Sequence, residues 1–101
     1  MRMWMVEPRF LCRQHLLGEH VELHMAVGAI RKAKNLTRFF RDGFLETASI
    51  QRRHEELAQE LVCRGYRHNS PLVYRDLLNK GKVDTNKSER DLKLRCSKCY
   101  R

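Results

Sequence analysis

The stretch HLLGEHVELH, His15 to His24, places three histidines and two glutamates within ten residues. At that density, histidine and carboxylate supply metal ligands, a proton-transfer site, or merely the wetted side of a helix. Their spacing helps to discriminate. At about 100° per residue, a helix sets His15, Glu19, Glu22, Ala26 and Ala29 along one stripe roughly 80° wide. Leu16, Leu23, Val27 and Ile30 form the adjacent apolar stripe. His20, His24 and Arg31 fall on another side, about 140° or more from the His15–Glu22 line. The five polar groups do not converge, which argues against a single metal site.

His20 and His24 have the i,i+4 spacing of H-E-x-x-H zinc helices. Val21 stands where that motif has glutamate, and no third ligand is evident, so a solvated helix face is expected there. Glu19 and Glu22 differ, because small Ala26 and Ala29 beside them let another segment or a substrate come close. Spacing alone leaves this stripe open between a solvated charged face and a functional one.

These side chains need a scaffold, and the hydrophobic pattern is helical nearly throughout, with no alternating strand or Asn-Gly hairpin signal. A first long helix is expected to begin between Pro8 and Arg13 and to run to about Lys34. TRFFRDGF, Thr37 to Phe44, is a short basic aromatic segment broken at Gly43. A second long helix should start near Ser49 and end at Arg64, where Gly65 supplies a left-handed stop. Ser70-Pro71 has the N-cap and N1 chemistry for a short helix to about Leu78. Asn79 to Lys82 is a turn, and Ser88 caps a last helix over Glu89 to Arg95. With 101 residues and no repeat, the expected architecture is all-α: one compact domain over 1–101, built on two long helices, with 80–101 as a basic C-terminal tail.

Charge narrows the partners. The net charge of +9, from 21 Lys+Arg against 12 Asp+Glu, favours a polyanion, nucleic acid first and a membrane surface second. The alternative is a basic surface that binds nothing in particular. The basic residues are dispersed, which fits a folded face better than a disordered arm. No apolar run approaches the roughly 20 residues of a membrane span, and Glu7, Pro8 and Arg9 interrupt the opening MRMWMVEPRF as a signal peptide. A cytoplasmic monomer is the expectation.

Four cysteines without an export signal are expected to be reduced. Cys12 and Cys63 lie in apolar-periodic segments and read as small core residues. Cys96 and Cys99 form a CxxC, half a zinc site, with His54, His68 and Cys63 the unassigned candidates for further ligands. Free thiols or a redox pair are the alternatives, and no metal is otherwise expected. The 22 residues from Lys80 hold eight basic and three acidic residues, so the tail reads mainly as DNA-facing.

The segment QHLLGEHVELHMAVGAIRK, with RHEELAQELVCRGYRHNSPL downstream, resembles the phage pyrimidine-dimer DNA glycosylase/AP lyase family, also called phage endonuclease V. The opening MRMW looks like the M-R-[LM]-W start of its smaller relatives. Similarity runs from Met1 to about Leu72. Gln14-His15, Glu19, Glu22 and Gly28 to Lys32 fall in step, and Arg53-His54 and Arg64-Gly65-Tyr66 match the second long helix and its end.

The resemblance implies an all-α repair enzyme that excises a base from damaged double-stranded DNA and then cuts the strand, in a bacterial cell or a phage-infected host. It assigns the nucleophile to the α-amine of Met1 and the working carboxylate to Glu22. His15 becomes a supporting residue at the site, and Arg2 the basic residue just behind the N-terminus. In the best-known member the initiator methionine is removed and a small residue presents the amine. Counting back from Glu22, the equivalent position is Met1 itself, and large Arg2 is expected to protect it from removal. An α-amine suits the task, since its ordinary pKa of about 7.7–8.0 leaves a usable neutral fraction, unlike a lysine near 10.4. Arg2 and some of Arg9, Arg13, Arg31, Lys32 and Lys34 are then expected to hold phosphates. Two departures stand out. Val21 and Met25 occupy positions that are basic in the dimer-specific member, and its Trp- and Tyr-rich C-terminal segment has no counterpart in a chain ending RCSKCYR. A non-catalytic DNA-binding protein, or a glycosylase for another modified base, are the alternatives.

Overall fold

The longest periodic stretches form the longest elements. A computed structural model describes residues 1–100 and contains helices α1 (Arg13–Arg31), α2 (Thr37–Arg41), α3 (Ile50–Cys63) and α4 (Thr85–Arg95). Single 3-10 turns precede α1 (Pro8–Phe10) and α3 (Thr47–Ser49). No strand occurs among the described residues, so the all-α expectation holds. Leu16, Leu23, Ala26 and Val27 of α1 are buried against the face of α3 carrying Ile50, Leu57 and Leu61. Each buried Leu or Ile contributes roughly 2 kcal/mol of transfer free energy.

The N-terminal strand of chain is fixed to this core. Met3, Trp4 and Val6 are buried, and the Met3 N–H donates to Phe44 O at 2.7 Å. Met1 is therefore held two residues from an anchored position, and its reach is short.

The ends of the helices follow backbone chemistry. Gly65 adopts φ +89° and the Tyr66 N–H closes on Leu61 O at 2.9 Å, the left-handed stop read from the sequence. Helix α1 ends at Arg31 rather than near Lys34, because Ala33 takes φ +53° and the Lys34 N–H turns back to Ala29 O at 3.0 Å.

Two helix expectations are corrected. Residues 70–76 form no helix. Side chains from α1 and α3 take their backbone groups: the Gln51 amide donates to Leu72 O at 2.9 Å and accepts the Tyr74 N–H at 2.7 Å, and Arg31 donates to Val73 O at 2.6 Å. Tertiary bonds replace the helical ladder. Helix α4 starts three residues before the expected cap, with the Asp84 carboxylate accepting the Lys87 N–H at 3.1 Å. Ser88 is instead buried inside the helix. In the C-terminal segment Val83, Leu92 and Cys99 belong to the core, while Lys80, Lys82 and Lys98 remain exposed.

Candidate active site

Helix α1 carries the opening stretch past two open clefts. The first, of about 610 Å3, is lined by Arg2, Trp4, Gln14, His15, Gly18, Val21 and Glu22 among others. The second, of about 590 Å3, takes Met1, Met25, Gly28, Ala29, Lys32 and Lys34. Gly18, Val21, Met25, Gly28 and Lys32 recur at helical spacing, so one face of α1 borders both. A Cβ on Gly18 or Gly28 would meet nothing within 4 Å, so the glycines leave the helix backbone approachable from outside.

Glu22 is half-buried on this face. Burial pushes its carboxyl above the usual glutamate range, and Glu19 pushes in the same direction. Against them the Met1 ammonium and Arg2 pull it down, the Met1 amine being the stronger of the two.

Arg2 is held by the protein itself. Its guanidinium donates to Asp91 of α4 at 2.9 Å and lies 4.0 Å from the Trp4 ring centroid and 4.3 Å from that of Phe44. Its Nε is buried with no hydrogen-bond partner among the described residues.

The other expected phosphate ligands scatter. Lys32 and Lys34 are exposed beside Met1. Arg31 bonds the Val73 carbonyl, Arg9 pairs with Glu7 at 2.6 Å, and Arg13 lies over Tyr66. Those three line neither cleft.

Glu19 is not an edge carboxylate. It is fully buried, and Arg53 of α3 grips both of its oxygens, Nε to Oε2 at 2.7 Å and Nη2 to Oε1 at 2.9 Å. Arg53 also donates to Val6 O at 2.6 Å, tying the N-terminal segment to the helix pair.

The solvated-face expectation for His20 and His24 is corrected as well. His20 is 7% exposed. His54 of α3 and His68 of the following loop close over it, with His20 Nε2 and His68 Nε2 2.9 Å apart. Half-buried His24 stands at the edge, and both His24 Nε2 and His54 Nε2 lie within hydrogen-bond reach of Ser70 O, at 3.2 and 3.1 Å. Burial, followed by His54, His68 and His24, lowers the His20 pKa to about 4. His20, His54 and His68 form one group that could hold a metal.

A second such group is Cys12, His15, Cys96 and Cys99. Cys12 is the N-cap of α1 rather than a core residue, and Cys63 is exposed. The partners of the CxxC are therefore Cys12 and His15, in place of His54, His68 or Cys63. The signal was present as Cys12-Arg13-Gln14-His15, a CxxH spacing that the apolar pattern around Cys12 concealed. Burial pushes the Cys99 thiol up to about 12, whereas the Lys98 N–H draws Cys96 down.

Fold and clefts define a basic, all-α protein in which one helix face borders a cleft lined by Glu22 and a cleft lined by Met1. A family model described as pyrimidine dimer DNA glycosylase matches residues 1–73, and the chain belongs to that family. DNA glycosylase chemistry, pyrimidine dimers and a DNA substrate follow at family level. The match takes in α1, α2 and α3 and stops before α4 and the CxxC. No curated protein and no solved structure matches the chain. Among the described residues, no helix is long and apolar enough to cross a membrane.

Proposed function

We propose that this protein is a DNA glycosylase with AP-lyase activity, acting on pyrimidine dimers in duplex DNA through the α-amine of Met1. The neutral amine attacks the sugar C1′, the glycosidic bond breaks, and the departing base takes a proton. Loss of the ring oxygen from C1′ then gives an imine between sugar and chain. Glu22 accepts the ammonium proton beforehand and passes it to the departing base; as the carboxylate again, it stabilises the cationic sugar and removes the C2′ proton so that the 3′ phosphate leaves by β-elimination.

The observation that carries this reading is the placement of Glu22 and Met1 in two clefts bordered by one face of α1, near enough for a Met1 ammonium to pull the Glu22 carboxyl down. A carboxylate raised by burial is the better proton acceptor. Lys32 and Lys34, exposed beside Met1, supply phosphate contacts, while Arg2, clamped by Asp91, Trp4 and Phe44, fixes the segment that bears the amine. The target nucleotide must leave the stack, at a cost of a few kcal/mol that is lower at a damaged step.

One observation favours a second reading, a different damaged base. Val21 and Met25 flank Glu22 and are 55% and 54% exposed, apolar where the dimer-specific member is basic. Borohydride added to reactions on duplexes with a pyrimidine dimer, an abasic site or neither separates the readings. Adducts on the first two and none on the third are expected. Adduct on the abasic duplex alone favours the other base, and no adduct on any duplex rejects the lyase.

A further inference from the structure

We infer that Cys12, His15, Cys96 and Cys99 hold one structural zinc ion, which staples the C-terminal segment to the start of the active-site helix. The donors come from two places far apart in the chain: the N-cap turn of α1 and the turn that follows α4. Nothing in their sequence separation requires them to meet, yet all four donor atoms lie within 4.8 Å of one another.

Three of the six donor–donor separations lie close to the edges of a tetrahedral coordination shell. Cys12 Sγ lies 3.8 Å from Cys96 Sγ and 3.2 Å from His15 Nδ1, and Cys99 Sγ lies 3.5 Å from that nitrogen. Zinc bonds of about 2.3 Å to sulfur and about 2.0–2.1 Å to nitrogen make a tetrahedron with S···S edges of about 3.8 Å and S···N edges of about 3.5 Å. A disulfide needs sulfurs about 2.05 Å apart, which this Cys12–Cys96 pair is not.

Backbone N–H groups already point at the sulfurs. Cys12 N–H donates to Cys99 Sγ at 3.2 Å, Lys98 N–H to Cys96 Sγ at 3.4 Å, and His15 N–H to Cys12 Sγ at 3.5 Å. Three thiolates around a divalent ion leave one net negative charge, and these dipoles offset it. Four protein donors fill a tetrahedral shell, so the ion has no position for a water or a substrate and is structural rather than catalytic.

The location gives the ion a task. His15 also lines the Glu22 cleft. Coordination through Nδ1 leaves the hydrogen on Nε2 and fixes the ring plane, so the metal orients one wall of the cleft. Beside it, Tyr100 stacks on Phe10 at 4.9 Å and its N–H donates to Phe10 O at 2.7 Å, continuing the same seam.

The test uses the full chain, produced without a polyhistidine tag and reconstituted with zinc under reducing conditions. Elemental analysis should find one zinc per chain, kept in Cys63→Ser and His20→Ala and lost in Cys96→Ser. Because Cys96→Ser could fail to fold, the wild-type protein is also loaded with cobalt. Intense visible bands of tetrahedral cobalt together with thiolate-to-cobalt charge transfer are expected. No bound metal, iron in place of zinc, a cobalt spectrum without thiolate charge transfer, or zinc that survives Cys96→Ser but not His20→Ala would each overturn the proposal.

Discussion

Arg53 of α3 and Glu19 of α1 form a two-pronged ion pair, at 2.7 and 2.9 Å, with both side chains sealed from solvent. The pair joins the two long helices one turn away from Glu22, and the same guanidinium holds the Val6 carbonyl. Removing Arg53 leaves the Glu19 charge buried and unpaired, which costs about 3–5 kcal/mol, whereas removing Glu19 leaves Arg53 with only the part-exposed Glu56 carboxylate at 3.3 Å. Urea unfolding should therefore show Glu19→Leu and Arg53→Met strongly destabilised singly and much less so together. Additive losses in the double variant would contradict this pairing.

Glu22→Gln should leave the fold and most DNA affinity unchanged while slowing cleavage of abasic duplex about 10²–10⁴-fold. The pH dependence follows from the raised carboxyl. The working form is the carboxylate, present above the folded pKa and lost as pH falls through it. Cleavage should therefore decline on acidification at a pH above the ordinary glutamate value of about 4.3. Wild-type rates in Glu22→Gln would remove this carboxylate from the cleavage mechanism.

His20 sets an acid limit on stability. Its pKa is about 4 in the folded protein against 6.5 in the open chain, with His54, His68, His24 and Glu55 around it. Unfolded chains bind the proton first, so stability is full above pH 6.5 and falls as pH drops towards 4. One pKa unit corresponds to about 1.4 kcal/mol, which makes the loss on the order of 3 kcal/mol. Denaturation midpoints measured from pH 7 to 4 should show this decline, and His20→Phe should flatten it. A midpoint unchanged between pH 7 and 5 in the wild type would count against the buried neutral imidazole.

Some of this was legible in the sequence, and residues show why the rest was not. Local chemistry was readable: Gly65 ends α3 through its own left-handed backbone, and the Glu22 stripe follows from helical period alone. Groups completed by a distant segment were not. His20 looked solvated on α1 because His54 and His68, which bury it, lie more than thirty residues away in the chain. The helix expected after Ser70 had correct caps, but Gln51 and Arg31 claimed the backbone groups it needed. Cys12 matched an apolar position, and only the fold brings Cys96 and Cys99 to it.

Salt should govern DNA affinity. A net charge of +9 and exposed lysines beside Met1 imply several phosphate contacts, each releasing counterions on binding. The logarithm of the association constant should fall linearly with the logarithm of salt concentration, and Lys32→Gln should make the slope shallower. A slope near zero would exclude phosphate contacts as the source of affinity.

The position of the covalent bond to DNA tests the amine mechanism most directly. Borohydride reduces the imine to a stable secondary amine, and the trapped protein can be digested with trypsin and read by mass spectrometry. The sugar remnant should sit on the fragment Met1-Arg2, at the α-nitrogen, and a protein whose N-terminus is blocked by an uncleaved tag should give no adduct while still binding DNA. An adduct on any lysine, or full cleavage by the blocked protein, would contradict the amine mechanism.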